Sequence, residues 1–282
     1  MLTGTTKNLA VIGWPIAHSL SPVLQNAAIE KAGIDYVYTA LPVKPEDLSS
    51  AVNGLKALQF RGWNVTIPHK TAIMELLDEI DEDARIIGAV NTVVNDAGHL
   101  KGFNTDVTGF IQALRDKGFD PEDKTVVLLG AGGAARAVVW GLLKAGAQAI
   151  RIGVRTPAKV QPLVEEFSQY GTITVKHWES EAFAAELSTA DLLVNTTPLG
   201  MTPQVEAMPP VDWTKVKKEA LVYDIIYTPA ETLFLREARE KGHPTLNGEG
   251  MLAGQGAAAF EKWTGVKPDV ELMKNKLREA LK

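Results

Sequence analysis

The sequence contains no cysteine among its 282 residues. This absence excludes disulfide bonds, thiol catalysis and metal sites with cysteine ligands. The chain has few histidines, and they lie far apart with no His-x-x-x-His pair: His18, His69, His99, His177 and His243. Paired histidines are the usual basis of a zinc site. We therefore expect no metal.

The sequence also lacks an excess of positive charge and a long apolar run. Its 29 basic and 34 acidic residues give a net charge of −5, which argues against nucleic acid as the main partner. The longest nearly apolar stretch, residues 126–143, contains glycines and Arg136 and does not suit a membrane span. Residues 9–17 resemble a signal-peptide core, but Pro15 interrupts them and no A-x-A site follows. We interpret them as a buried strand and expect a cytoplasmic protein.

The remaining composition is that of a soluble globular protein, with 45% hydrophobic and 22% charged residues. A length of 282 residues exceeds what one hydrophobic core usually supports. The sequence therefore predicts two domains.

A glycine-rich turn lies near the middle of the chain. Residues 126–129, VVLL, are typical of a buried strand, and residues 130–135, GAGGAA, fit the pattern G-x-G-x-x-G/A before a helical repeat of apolar residues. In this pattern the glycines allow a tight turn and let the backbone approach a pyrophosphate at the helix start. A glycine turn also occurs without a ligand, but the strand before and the helix after favour a dinucleotide site. Its residues are Gly130, Ala131, Gly132, Gly133 and Ala134.

The next predicted strand, residues 149–153, indicates which dinucleotide binds. The NAD pattern places an acidic residue about 20 positions after the glycines, and residues 149–156 contain none. Arg155, with Thr156 and Lys159, could instead pair with a 2′-phosphate. We predict NADP rather than NAD. The alternative is that these residues are solvated charges at the start of a surface helix.

Alternating strands and helices predict an α/β fold with mostly parallel sheets. The predicted strands are residues 9–13, 35–42, 62–65, 88–94, 100–104, 126–129, 149–153, 172–176, 192–195 and 220–224. The predicted helices are residues 23–32, 45–58, 71–77, 81–87, 107–117, 157–170, 181–187, 232–241, 251–263 and 268–281. A turn at residues 95–98 indicates a hairpin, which adds an antiparallel pair to the first sheet.

Two serines precede the first helix. Ser21-Pro22 has the form of an N-cap followed by proline at the first helical position. Capping explains Ser21 but not Ser19. Two hydroxyls near a helix N-terminus would also suit a substrate carboxylate, and the spacing leaves both interpretations open.

Lys70 and Asp106 are each followed by a predicted helix. A helix dipole disfavours a cation at its N-terminus, so local stability does not explain Lys70, although a solvated surface lysine remains the alternative. Asp106 could be the N-cap of its helix. His69 by itself is best explained as a packing or surface residue.

Eight segments together resemble the shikimate dehydrogenase family in order and spacing, from about residue 8 to about residue 265. They are residues 19–22, 64–70, 88–92, 104–106, 130–135, 195–201, 223–227 and 247–255. Eight motifs in register are far more specific than a glycine turn alone.

The resemblance implies reversible NADP-dependent reduction of 3-dehydroshikimate to shikimate, with Lys70 and Asp106 as the catalytic pair. Which of the two carries the proton in each step stays open. The implied ligands of the substrate carboxylate are Ser19, Ser21 and Tyr227. The implied ligands of the ring hydroxyls are Asn64, Thr66, Asn91, Asp106 and Gln255.

The resemblance also implies cofactor contacts beyond the glycine turn and the basic residues after it. These are Thr197, Gly248 and Met251. The family usually has asparagine where this chain has Val154, so one polar contact to the adenosine ribose lacks its residue.

The family's organisation implies a substrate domain at residues 1–106, a Rossmann-type NADP domain at residues 107–247, and C-terminal helices at residues 248–282 that pack back on the first domain. The family places its active site in the cleft between the two domains and includes monomers and homodimers.

Two other functions compete with this prediction. A quinate dehydrogenase of the same superfamily would accept a ring with an additional hydroxyl and often uses NAD. An NADP-sensing regulator would keep the nucleotide domain without catalysis, and the presence of both Lys70 and Asp106 argues against it.

Overall fold

The computed structural model describes residues 2–281 as an α/β protein with two six-stranded sheets. The chain forms two compact units: the first combines the chain up to Gly109 with the chain from Ala253 onward, and the second is Phe110–Leu252. Assignment of residues 1–106, 107–247 and 248–282 to functional domains stays a prediction.

The sheet of the first unit has the order β2-β1-β3-β5-β6-β4. Its strands are β1 Lys7–Gly13, β2 Tyr36–Pro42, β3 Gly62–Val65, β4 Glu79–Ile80, β5 Thr92–Asp96 and β6 His99–Phe103. β1 pairs parallel with β2 and β3, whereas β5 runs antiparallel to β3 and β6. The antiparallel pair predicted from the sequence is therefore present.

The helices of the first unit cover this sheet with apolar side chains. They are α1 Ser21–Ala32, α2 Leu48–Ala57, α3 Glu82–Ile87 and α10 Val270–Ala280, together with parts of α4 Asp106–Asp116 and α9 Glu249–Thr264. Val52 and Leu55 of α2 belong to one buried cluster with Ile12, Trp63 and Val65 of the strands. Burying each such side chain stabilises the folded state by on the order of 1.5–3 kcal/mol. This packing holds the strands in place, and with them the polar residues at the strand ends.

The sheet of the second unit is entirely parallel, with the order β12-β11-β10-β7-β8-β9. Its strands are β7 Thr125–Leu129, β8 Ala149–Val154, β9 Ile173–His177, β10 Leu192–Asn195, β11 Leu221–Asp224 and β12 Thr245–Leu246, and its helices include α5 Ala135–Lys144, α6 Gln161–Phe167, α7 Glu181–Leu187 and α8 Leu233–Glu240. The chain moves outward from β7 to β9 and then returns to the other side of β7. The loops after β7 and β10 therefore flank a topological switch point, where open α/β sheets bind ligands.

The structure corrects several predicted elements. The strand predicted from residue 88 begins only at Thr92, because Gly88 ends α3 with a left-handed φ of 72°. Residues 71–77 contain a 3-10 turn, Ala72–Leu76, instead of an α-helix. The two-residue strands β4 and β12 were missed because so short a segment shows no periodicity.

Within residues 2–281, no helix combines the length and the apolar character needed to cross a membrane. The same part of the chain contains no group of three or more histidine and acidic side chains arranged to hold a metal ion.

Candidate active site

The register of the first sheet brings three polar segments to one edge. Asn64 of β3 pairs with Thr92 of β5, and Thr92 pairs with Phe103 of β6. The segment after β3 leads to Lys70, and the segment after β6 leads to Asp106 at the start of α4. Strand pairing therefore places residues from distant parts of the sequence side by side.

Lys70 and Asp106 form an ion pair at this edge. The Lys70 Nζ atom lies 2.6 Å from Asp106 Oδ2, and the two side chains are 27% and 13% exposed. Asp106 is the first residue of α4, and its carboxylate faces Lys70 instead of capping the helix. Partial burial leaves Lys70 accessible to a ligand while limiting its contact with water.

Asn91 holds the other oxygen of Asp106. The Asn91 Nδ2 atom donates to Asp106 Oδ1 over 2.8 Å. The Asn91 Oδ1 atom accepts from the Thr92 hydroxyl and from both the backbone N–H and the hydroxyl of Thr105. These contacts fix the Asn91 amide, and the amide in turn fixes the plane of the Asp106 carboxylate.

Asn64 and Thr66 lie at the same edge. The Asn64 side chain is 6% exposed and donates from Nδ2 to the Asn91 carbonyl and to the Thr92 hydroxyl, each at 3.1 Å. Its Oδ1 atom accepts from the Tyr38 hydroxyl over 2.6 Å. Thr66 follows β3, and its backbone N–H donates to the Ile12 carbonyl.

The predicted N-cap role of Ser21 is wrong. Helix α1 begins at Ser21, its N-cap is Leu20, and no side chain caps it. Leu20 already has right-handed helical φ and ψ angles, so the helix starts one residue earlier than Ser21-Pro22 suggests. The Ser19 Oγ atom instead accepts from the Ser21 N–H over 3.3 Å. Both serines are partly exposed, so binding of a carboxylate stays a prediction for each.

The other two predicted substrate ligands are Gln255 and Tyr227. Gln255 lies in α9 and is partly buried. Tyr227 belongs to the second unit, three residues after β11, where burial raises its pKa and so keeps its hydroxyl protonated. Their roles in substrate binding stay predictions.

Sequence reasoning missed Tyr38, which donates to Asn64. Tyr38 lies within β2 and is 1% exposed. An aromatic residue in a strand is usually a packing residue, and no sequence pattern distinguishes this tyrosine from one. His69 fits its sequence interpretation, since it is buried and its Nε2 atom lies 2.7 Å from the Val43 carbonyl oxygen.

The three glycines of the turn in the second unit differ in their surroundings. Gly130 follows β7 with a φ of 99°, and a Cβ atom there would collide with Thr197 Cγ2. A Cβ atom at Gly132 would meet only the Thr196 carbonyl at 3.9 Å, and one at Gly133 would meet nothing within 4 Å. Protein packing therefore explains Gly130 but not the other two, whose exposed backbone is free for a ligand to approach.

The start of α5 also suits an anion. Ala134 is the N-cap of this helix, and no side chain caps it. The partial positive charge of a helix N-terminus attracts phosphate groups. The turn from Gly130 to Ala134 therefore fits a pyrophosphate.

The side chains that follow β8 carry the positive charge that binding of a 2′-phosphate requires. Arg155, Thr156 and Lys159 are exposed, and Thr156 precedes a 3-10 turn at Pro157–Lys159. Val154, the last residue of β8, is 6% exposed and belongs to the core. Val154 therefore offers no polar side chain at this position, whereas the basic residues remain available to a 2′-phosphate.

A buried hydrogen-bond network joins the loops after β10 and β11. Asn195 Oδ1 accepts from the backbone N–H and the hydroxyl of Thr197, at 2.9 and 2.7 Å. Asn195 Nδ2 donates to Asp224, which also accepts from the Thr232 hydroxyl over 2.6 Å. Burial raises the pKa of Asp224 to about 6. The network orders Thr197 directly beside Gly130.

Gly248 and Met251 lie near the end of the second unit. A Cβ atom at Gly248 would collide with the Ile225 carbonyl, and the Gly248 N–H donates to the Ile226 carbonyl over 2.9 Å. Met251 lies in α9 and is largely buried. Packing thus explains Gly248, and contacts of either residue with the cofactor stay predictions.

Comparison with known proteins identifies the family. Residues 11–93 match the shikimate dehydrogenase substrate binding domain, residues 113–225 match the family described as shikimate / quinate 5-dehydrogenase, and residues 248–278 match the shikimate 5'-dehydrogenase C-terminal domain. The shikimate dehydrogenase (NADP(+)) of Carboxydothermus hydrogenoformans is 46% identical over 97% of both chains. The chain belongs to the shikimate dehydrogenase family.

Solved structures agree with this membership. A shikimate dehydrogenase in complex with NADP+ matches 100% of this chain and 98% of its own, with a TM-score of 0.93 and 41% identity. The shikimate 5-dehydrogenase of Thermus thermophilus, in complex with NADP(H) and shikimate, covers 98% of this chain and 100% of its own, with a TM-score of 0.88 and 38% identity. The family's two-domain α/β fold is thus confirmed for this chain.

Proposed function

We propose that this member of the shikimate dehydrogenase family catalyses the reversible reduction of 3-dehydroshikimate to shikimate with NADPH. The observation that carries the proposal is the Lys70–Asp106 pair at a sheet edge lined by amide and hydroxyl side chains. Reduction of a ketone needs a hydride and a proton, and the reverse reaction needs a base for the hydroxyl proton. The pair supplies and removes that proton.

Lys70 and Asp106 act together in this proposal. Their 2.6 Å contact lets a proton taken up by one group pass directly to the other. Asn91 keeps the Asp106 carboxylate in one orientation throughout. NADPH, when bound, supplies the hydride.

The substrate is a small acid with several hydroxyls and little apolar surface. A site for such a molecule depends on many hydrogen-bonding side chains, each of which disfavours analogues that leave it unpaired. Ser19, Ser21 and Tyr227 bind the carboxylate in this proposal. The side chains that bind the ring hydroxyls are Asn64, Thr66, Asn91, Asp106 and Gln255.

The cofactor is held by two features of the second unit. The turn from Gly130 to Ala134 receives the pyrophosphate, because its exposed glycines allow close backbone approach. Arg155, Thr156 and Lys159 receive the 2′-phosphate, because charged donors pair strongly with phosphate. The other proposed cofactor contacts are Thr197, Gly248 and Met251. A cytoplasmic location and a monomeric or homodimeric state remain predictions.

The test is NADPH formation by the purified protein, measured with shikimate or quinate and with NADP+ or NAD+. We expect strong turnover with shikimate and NADP+ and much weaker turnover with every other pair. Preferred turnover of quinate with NAD+ would identify the competing dehydrogenase. Tight NADPH binding without turnover of any pair would indicate a nucleotide sensor instead of an enzyme.

A further inference from the structure

Tyr38 lies beside a predicted ligand of the substrate hydroxyls and near a predicted ligand of its carboxylate. The Tyr38 hydroxyl donates to Asn64 Oδ1 over 2.6 Å. The Ser21 side chain is close enough to lower the pKa of the phenol, against the larger effect of burial, which raises it. Asn64 is a proposed hydroxyl ligand and Ser21 a proposed carboxylate ligand.

The position of Tyr38 is tightly constrained. The Asn26 side chain of α1 donates to the Tyr38 carbonyl over 2.8 Å and accepts from the Tyr38 N–H over 3.0 Å. The Tyr38 ring also packs against Trp263 with 6.0 Å between ring centroids. Burial raises the pKa of Tyr38 well above its ordinary value, so the phenol stays protonated and remains a donor.

This constraint decides what Asn64 can offer a ligand. Among the contacts of residues 2–281, both N–H groups of its amide are used, one by the Asn91 carbonyl and one by the Thr92 hydroxyl. The Tyr38 hydroxyl occupies one lone pair of Oδ1 and leaves the other. A rotated amide would place its oxygen against the Asn91 carbonyl oxygen, where neither atom can donate, and would remove the acceptor of the Tyr38 hydroxyl. The amide therefore presents an acceptor and no donor.

We infer that Tyr38 is a positioning residue. It holds the Asn64 amide in the orientation in which its oxygen accepts a hydrogen bond from a substrate hydroxyl and its NH2 group donates none to the substrate. This inference rests on the proposed function. The ligand group at Asn64 must carry a hydrogen, which a secondary alcohol provides and a ketone or ether oxygen lacks. Asn64 thus selects a hydroxyl that stays a hydroxyl throughout the reaction, and the reacting carbonyl lies against a different side chain.

The first experiment compares Tyr38→Phe with the wild type in shikimate oxidation. Tyr36→Phe is the matched control, because Tyr36 lies on the same strand and its hydroxyl has no hydrogen-bond partner in the described part of the chain. We expect Tyr38→Phe to raise KM for shikimate about tenfold, the equivalent of one lost hydrogen bond, with KM for NADP+ unchanged. The control should match the wild type in both constants. Equal shikimate KM values for Tyr38→Phe and the wild type would overturn the inference, as would a parallel rise in KM for NADP+.

The second experiment uses the wild-type protein and does not depend on the folding of a variant. Each shikimate hydroxyl that is not oxidised is replaced in turn by fluorine or by hydrogen. Fluorine is close to a hydroxyl in size but cannot donate, so at the position facing Asn64 we expect fluorine to lower kcat/KM as much as hydrogen does, by about tenfold or more. If every fluoro analogue reacts like shikimate, Asn64 is not a dedicated acceptor. Absence of turnover with shikimate itself would instead contradict the proposed function.

Discussion

Asn91 donates to Oδ1 of Asp106 over 2.8 Å, on the carboxylate oxygen that Lys70 does not contact. The two oxygens of Asp106 are therefore held from two directions. A carboxylate held in this way stays in the geometry needed for proton transfer without reorganising during the reaction.

Replacing Asn91 tests this orientation. We expect Asn91→Ala to lower kcat about 10- to 100-fold, because Asp106 loses its second anchor, and to destabilise the fold by about 1–3 kcal/mol, because the Thr105 N–H loses its buried acceptor. Steady-state kinetics and urea unfolding measure the two effects. The control is Asn275→Ala at an exposed site on α10, which should change neither. A kcat within twofold of the wild type would show that Asn91 is not required to orient the Asp106 carboxylate.

Arg155 should determine the choice of dinucleotide. We expect Arg155→Ala to raise KM for NADP+ by about 10- to 100-fold, since a charge-assisted hydrogen bond contributes about 1.5–3 kcal/mol. KM for NAD+, which lacks the 2′-phosphate, should stay the same. Arg239→Ala on α8, an exposed arginine paired with Glu231, is the matched charge control. Equal losses with both dinucleotides would mean that Arg155 acts on the fold and not on the phosphate.

Alanine substitutions at two positions of the glycine turn should have different effects. Gly130→Ala should destabilise the protein by about 1–3 kcal/mol, because its φ is 99° and its Cβ would collide with Thr197. Gly132→Ala should leave stability nearly unchanged but weaken NADPH binding, because the new methyl group blocks close approach to the backbone. Thermal unfolding and NADPH fluorescence titration separate the two. Wild-type NADPH affinity in Gly132→Ala would refute the assignment of this turn to the pyrophosphate.

Asp224 should make stability depend on pH. Its folded pKa of about 6 lies above the ordinary aspartate value of 3.8, so the folded protein holds this proton more tightly than the unfolded chain does. The stabilisation is fully present below pH 3.8 and is lost as pH rises through about 6, a change of ~3 kcal/mol. Asp224→Asn cannot titrate, so the unfolding free energy of the wild type should fall relative to this variant between pH 4 and pH 7. A constant difference between the two across this range would show that Asp224 does not titrate as proposed.

Much of the molecule follows from sequence patterns. The parallel sheet of the second unit was predictable because β7, β8 and β10 are apolar runs separated by helical repeats. The contact between Lys70 and Asp106 was not predictable from spacing alone. It depends on the pairing of β3, β5 and β6, which brings residues 36 positions apart together.

Other features could not be predicted from the sequence, for physical reasons. Ser21-Pro22 has capping chemistry, yet the helical conformation of Leu20 moves the helix start and removes the need for that cap. Tyr38 looks like a core residue, and its function depends on the direction of one O–H group within the folded protein. Such roles arise from the fixed orientation of buried amides and hydroxyls, which a linear pattern does not encode.

The most direct test of the catalytic pair is the steady-state oxidation of shikimate by Lys70→Ala beside the wild type with saturating NADP+. We expect kcat to fall at least 100-fold with a modest change in KM, because the side chain that exchanges the proton is missing while the proposed carboxylate ligands remain. A raised KM with kcat near the wild-type value would contradict a catalytic role for Lys70, since Lys70 would then bind the substrate without taking part in the chemistry.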